Sequence, residues 1–387
     1  MQAFKNAKII TGTGKVIESG CLLVKKGKIV EVQEKENIPQ EAEIVDLKGK
    51  TIAPGFIDAH THVGIGELAL GWEGQDYNEM TDPVTPHLRA IDGILPEEKG
   101  FKNALSGGVT TLMTGPGSAN VIGGETVVVK TAAKDTIEKM IVRNPAGMKA
   151  ALGENPKRVY GHGSKKAPFT RMANAGLLRE TLVKAENYRE KLKKGEKEPD
   201  KMPERDLKME AMVRVLNKEI PLRLHAHRAD DITTGIRVAR EFSIDLTLEH
   251  CTEGHKIAEE IAQSEYPAII GPTFGAPSKV ELRDMTWDTP RILHEAGVKI
   301  SIMTDHPVVP IEHLSLCASL AMKAGLPEEE AIKALTINPA EILGVEDRVG
   351  SLEKGKDADF VVWDDHPFLI QSRAEKVYVQ GELVRDE

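Results

Sequence analysis

Four stretches of this chain end in residues able to grip a metal ion. His60 and His62 stand one residue apart at the end of the apolar run Phe56-Ile57-Asp58-Ala59, and His225 and His227 repeat that spacing. Glu249-His250 closes another apolar run and Thr304-Asp305-His306 a further one. Side chains alternate faces along a strand, so residues two apart point the same way and each His-x-His presents both imidazoles together. Imidazoles combined with carboxylates suit zinc or another borderline divalent ion. One such pair alone fits ordinary packing as well as ligation. Four apolar runs ending alike point to one shared centre.

Such a centre needs elements that bring distant residues together. Eight candidate strands lie at 56–62, 109–114, 126–131, 148–152, 222–227, 245–250, 268–273 and 298–304. Helical stretches at 96–105, 205–217, 231–242, 255–264 and 289–296 fall between several of them, the signature of an α/β fold with a (β/α)8 TIM barrel. In that barrel the C-terminal strand ends converge on one mouth, where the four metal-suited stretches meet. Residues 136–142 read equally as helix or strand. Short β-strands with Lys26-Gly27 and Gln380-Gly381 turns mark the two ends of the chain. They predict a small β-sandwich domain formed from both termini, with boundaries at 1–54, 55–345 (the barrel) and 346–387. A charged insertion at 160–209 follows the fourth strand and reads as a solvated surface helix, with a lid or an oligomer contact as the alternative.

Composition narrows the class. A formal charge of −9 with no basic cluster argues against nucleic acid as a partner. No apolar run approaches the roughly 18 residues that would cross a bilayer, and the N-terminus lacks a signal-peptide apolar region. The expectation is a cytoplasmic enzyme of small molecules, with no membrane partner, that forms a homo-oligomer. The three cysteines, Cys21, Cys251 and Cys317, are too scattered and too odd in number for a disulfide framework.

The chain resembles the amidohydrolase superfamily nearly end to end. The matching motifs are Ala53-Pro54-Gly55-Phe56-Ile57-Asp58-Ala59-His60-Thr61-His62, Gly107-Gly108-Val109-Thr110-Thr111, His225-Ala226-His227, Leu248-Glu249-His250, Met303-Thr304-Asp305, Asn338-Pro339-Ala340 and 350–361. Within it the chain is similar to the imidazolonepropionase-like branch, which includes relatives of Xaa-Pro dipeptidases. The resemblance implies a divalent metal cofactor, zinc foremost with iron or manganese as alternatives, as one ion or two. His60, His62 and Asp305 would hold one ion, with His225 joining them if it is alone. In a two-ion site His225 and His250 would hold the second, bridged by a carboxylated Lys149. Glu154, just past the same strand, is the alternative ligand, and a one-ion site with neither is the third reading.

A divalent ion lowers the pKa of bound water from 15.7 to about 7 and polarises a carbonyl. Asp305 is then the catalytic proton carrier, and His250, if free of metal, stabilises the oxyanion. The implied reaction is hydrolysis of a C–N bond outside ordinary peptides, in a small cyclic amide like imidazolonepropionate, an acylated amino acid or a dipeptide. A deaminase on the same centre, or a non-catalytic scaffold on the same fold, are the alternatives. His227, Arg158, Tyr160 and His162 are the candidate substrate contacts, Arg158 through a bidentate fork to a carboxylate. Glu125 precedes the third strand and is expected at the wrong end of the barrel.

Overall fold

The computed structural model describes residues 1–34, 37–68 and 71–386, among which two eight-stranded sheets form. From the N-terminus come β1 (Gln2–Ile10), β2 (Val16–Lys25), β3 (Lys28–Gln33), β4 (Glu43–Asp46) and β5 (Thr51–Pro54). The barrel follows: β6 (Phe56–Thr61), β7 (Val109–Thr114), β8 (Ile122–Lys130), β9 (Ile141–Ala151), β10 (Leu222–Ala226), β11 (Leu246–His250), β12 (Ala268–Ile270) and β13 (Ile300–Ile302). The C-terminus adds β14 (Phe360–Trp363), β15 (Ala374–Val379) and β16 (Glu382–Asp386).

The terminal strands share one branched sheet, ordered β16-β15-β14-β5-β1-β2-β3, with β4 also on β1. Both predicted turns carry positive φ at their two central residues, Lys26 and Gly27 at 51° and 75°, Gln380 and Gly381 at 50° and 74°. That backbone matches the twist of the strands it joins. Phe4 meets Phe360 and Tyr378 edge-on while those two rings stack at 4.5 Å, tying strands from the two ends of the chain into one core.

The barrel strands neighbour one another in chain order from β6 to β13. Seven are parallel, but β8 runs antiparallel to both β7 and β9. The third strand therefore differs from expectation: it starts at Ile122, not 126, and points the other way. The reason lies in the links. A parallel crossover needs a dozen or more residues, whereas only 115–121 join β7 to β8, and the link to β9 holds a single 3-10 turn, Ile137–Lys139. Reversal brings the start of β8 toward the mouth, and Glu125 pairs with Arg214 Nη1 at 2.6 Å on the helix Leu207–Leu216.

Asp58 closes the ring between β13 and β6. Its carboxylate accepts from Thr304 N at 3.1 Å, Thr304 Oγ1 at 2.5 Å and His60 N at 3.2 Å. Beside it, His62 N donates to His306 O at 2.9 Å. The insertion after β9 is dominated by one helix, Arg171–Lys197, capped by Thr170, whose hydroxyl accepts from Ala173 N. Ala175, Leu178, Leu182 and Ala185 form its buried stripe at helical spacing and the opposite face carries charge. No described helix is long and apolar enough to cross a membrane.

Candidate metal centre

Strand register explains most of the cluster at the mouth. His225 pairs with Glu249 across β10 and β11, and Arg223 pairs with Lys149 across β10 and β9, so all four side chains share the barrel interior. Alternation would turn His250 away from Glu249. Instead His250 and Cys251 take φ of 77° and 48°, and Asp305 takes 54°, which turns the strand ends so that consecutive residues serve one site. Left-handed backbone at non-glycine residues costs about 1–3 kcal/mol each and gathers at functional sites.

Two groups of ligand atoms result, each within 4.8 Å: His60, His62 and Asp305, and His225, His227 and His250. Asp305 Oδ1 lies 3.3 Å from the Nε2 atoms of both His60 and His62. The groups adjoin at His250, whose ring centre is 4.1 Å from that of His225 and 5.0 Å from that of His60. His62 Nδ1 faces Gly115 O at 2.7 Å and His250 Nδ1 faces Gly271 O at 2.9 Å. A carbonyl only accepts, so both imidazoles carry a proton on Nδ1, which leaves Nε2 as the atom facing the site. His227 Nδ1 meets Thr252 Oγ1 at 2.7 Å.

Burial holds His225 and His250 far below the ordinary imidazole range and brings His227 to about 3, with neighbouring cationic groups adding to the effect. The three rings are neutral, the form that ligates metal. Burial pushes Asp305 up, but hydrogen bonding from His60 and His62 outweighs it and holds the carboxyl well below its usual range. Among the described residues, the buried Nε2 atoms of His225, His227 and His250 have no hydrogen-bond partner. Buried polar atoms are seldom left so. Neutral lone pairs gathered beside an ionised carboxylate fit a divalent cation.

Beneath the histidines lies a buried charge network. Glu249 contacts Arg223 Nη2 at 2.8 Å, His60 Nδ1 at 2.7 Å and Lys149 Nζ at 3.2 Å. Burial pushes the Glu249 carboxyl up, yet Arg223, His60 and Lys149 together hold it below its usual range. Arg223 reaches Glu249 by crossing Gly147, where an added Cβ would sit 2.3 Å from its Cδ. Lys149 Nζ also lies 3.2 Å from His60 Nε2. Burial draws the Lys149 amine down, with Glu249 and Asp305 opposing.

The structure brings His60, His62, Lys149, His225, His227, His250 and Asp305 together. His227 sits inside the ligand group and not at a substrate rim. Glu154 stays outside: its Oε2 accepts from Glu281 N at 3.4 Å and its own N donates to Glu281 Oε2 at 3.0 Å. Tyr160 is buried, its hydroxyl held by Glu79 O, Asp82 O and Asn120 Oδ1 at 3.1, 2.9 and 2.5 Å, so it is not free for substrate. Arg158 and His162 are exposed. Sequence reasoning missed the Arg223 and Glu281 carboxylate contacts. Arg223 precedes His225 by two residues and alternation would have revealed it; Glu281, in the 3-10 turn Val280–Leu282 after β12, carried no such signal.

Comparison with known proteins bears on the family and the fold. The amidohydrolase family model matches residues 51–384. A solved amidohydrolase from Thermotoga maritima MSB8 is 48% identical and superposes with a TM-score of 0.97 over 100% of both chains. Imidazolonepropionase of Rhizobium rhizogenes is 27% identical over 95% of this chain and 90% of its own length. The amidohydrolase tasK of Hapsidospora irregularis is 29% identical over 95% of this chain, which spans 40% of that relative. A Xaa-Pro dipeptidase with bound methionine shares the fold at 17% identity, with a TM-score of 0.61 over 99% of both chains.

Proposed function

Because the chain belongs to the amidohydrolase family, we propose that it is a metal-dependent hydrolase opening a C–N bond in a small cyclic amide of the imidazolonepropionate kind, or in an acylated amino acid or dipeptide. The observation that supports this most is the pair of adjoining ligand groups, three neutral imidazoles beside two more imidazoles and an ionised carboxylate. His60, His62 and Asp305 would hold one ion and His225 and His250 a second, most suitably zinc. When bound, such an ion supplies Lewis acidity, acidifying water and polarising a carbonyl. Lys149 would join the two halves as a carbamate. Its buried amine favours the neutral form that adds to carbon dioxide, giving N-carboxylate and releasing one proton.

Asp305 carries the proton. Its Oδ1 turns toward His60 and His62, leaving Oδ2 to accept a proton from the attacking water and return it to the leaving nitrogen. Glu249 fixes the His60 ring through Nδ1, and Arg223 keeps Glu249 ionised. His250, whose Nδ1–H donates to Gly271 O, offers a lone pair to a cation and no hydrogen to an oxyanion, which favours the ligand role over the oxyanion role. The reading also divides the chain at 54/55 and 345/346, which places all eight barrel strands inside the central part.

The test is turnover by protein purified without chelator on cyclic ureides and lactams, N-acyl amino acids and dipeptides including Xaa-Pro. Chelator-sensitive ring opening or acyl release is expected. Ammonia as the product would make the enzyme a deaminase. Chelator-resistant turnover would contradict the metal reading.

A further inference from the structure

One buried carboxylate at the mouth has no part in the chemistry above. The segment after β12 carries Glu281, in the 3-10 turn Val280–Leu282, back over the barrel, where it is 1% exposed. Its Oε2 accepts from Glu154 N at 3.0 Å. That approach depends on Gly153, at φ 84°, where an added Cβ would lie 2.7 Å from the same oxygen. Its Oε1 points the other way, 3.7 Å from His227 Nε2 and 3.9 Å from His225 Nε2.

Those two nitrogens have no hydrogen-bond partner among the described residues. A carboxylate oxygen facing two neutral imidazole nitrogens gains little from either at these separations. The three atoms suit a cation between them. Ligands about 2.0–2.2 Å from a tetrahedral zinc stand roughly 3.3–3.5 Å apart, and both carboxylate–imidazole separations lie within a few tenths of an ångström of that. A cation is already tethered nearby: Lys279 Nζ lies 2.7 Å from Glu281 Oε1, with Asn155 Oδ1 at 3.3 Å as its other partner.

Resting on the metal reading above, we propose that Glu281 is a carboxylate ligand to a divalent cation held with His225 and His227, and that Lys279 competes with that cation for Oε1. The carboxylate would anchor the loop after β12 over the site in the metal-loaded protein, and Lys279 would neutralise it otherwise.

The test is Zn²⁺ binding by the full-length protein, read as stoichiometry by elemental analysis and as affinity by chelator competition, with thermal melting as the folding control. Glu281→Gln should weaken one Zn²⁺ equivalent by at least about 10–100-fold and leave the other in place, since even partners outside the ligand shell are worth that much. Lys279→Met should tighten the same equivalent, and should do nothing in the Glu281→Gln background. Unchanged Zn²⁺ affinity in Glu281→Gln, or a Lys279→Met effect that survives it, overturns the proposal while leaving the metal reading standing. If Glu281→Gln does not fold, Lys279→Met alone decides: tighter binding supports the proposal and unchanged binding overturns it. Wild-type protein that takes up no Zn²⁺ overturns the metal reading itself, and this one with it.

Discussion

Two clusters of buried charge sit at opposite ends of the barrel strands, and they differ in whether the chain completes them. At the seam with the terminal sheet, Lys130 at the end of β8 pairs with Asp359 and, at 3.0 Å, with Asp357. Asp357 also takes Lys28 at 2.7 Å and Arg348 at 3.1 Å, while Asp359 accepts from Gln380 N at 2.8 Å. Each carboxylate is met by cations and donors from its own chain. At the mouth, Glu249 is paired with Arg223 and Lys149, but Arg223 Nε and Nη1 and the histidine nitrogens above them are buried without a hydrogen-bond partner among the described residues. Burial of charge is common to both. Unmet valence is what separates the site from the staple.

The contrast can be broken from either side. The largest effect is expected of Asp305→Asn, a fall in kcat of about 10²–10⁴-fold with an unchanged or higher melting temperature, because the variant buries no charge. Turnover within tenfold of wild type would remove Asp305 from the chemistry. Lys130→Met should do the reverse: it leaves Asp359 without its cation and takes one of three from Asp357, and costs about 3–5 kcal/mol in denaturant unfolding, with kcat per folded molecule unchanged. A stable Lys130→Met protein with impaired turnover would erase the distinction between seam and mouth.

Smaller effects sharpen it. Tyr160→Phe removes the single O–H that Asn120 Oδ1 and two carbonyls surround and should cost about 1–3 kcal/mol, with KM unaltered; a raised KM at full stability would return Tyr160 to the substrate. Arg158→Ala, at an exposed position, should change stability by no more than about 0.5 kcal/mol and leave KM within twofold. A tenfold rise in KM on carboxylate substrates would instead establish the fork to a carboxylate.

What the sequence could show follows from which rules are local. Strand alternation and apolar runs announce His60, His62, His225 and Asp305, because a strand's end and facing are written in neighbouring residues. The same rule was available for Arg223 and for Lys149 opposite it. The direction of β8 was legible only in what the links lack, since 115–121 is too short for a crossover. The left-handed turns at His250 and Asp305 were not legible, because neither residue type marks positive φ as glycine does. Glu281 comes from a single short 3-10 turn, Val280–Leu282, and only the packed barrel brings it to His225 and His227.

The most direct test is a crystal structure of protein purified without chelator, with anomalous scattering measured at metal absorption edges. The expected result is two peaks, one among His60, His62 and Asp305 and one among the histidines of β10 and β11, with carboxyl density on Lys149 between them. No anomalous peak at the mouth, with Lys149 an unmodified amine still paired to Glu249, would contradict the metal centre.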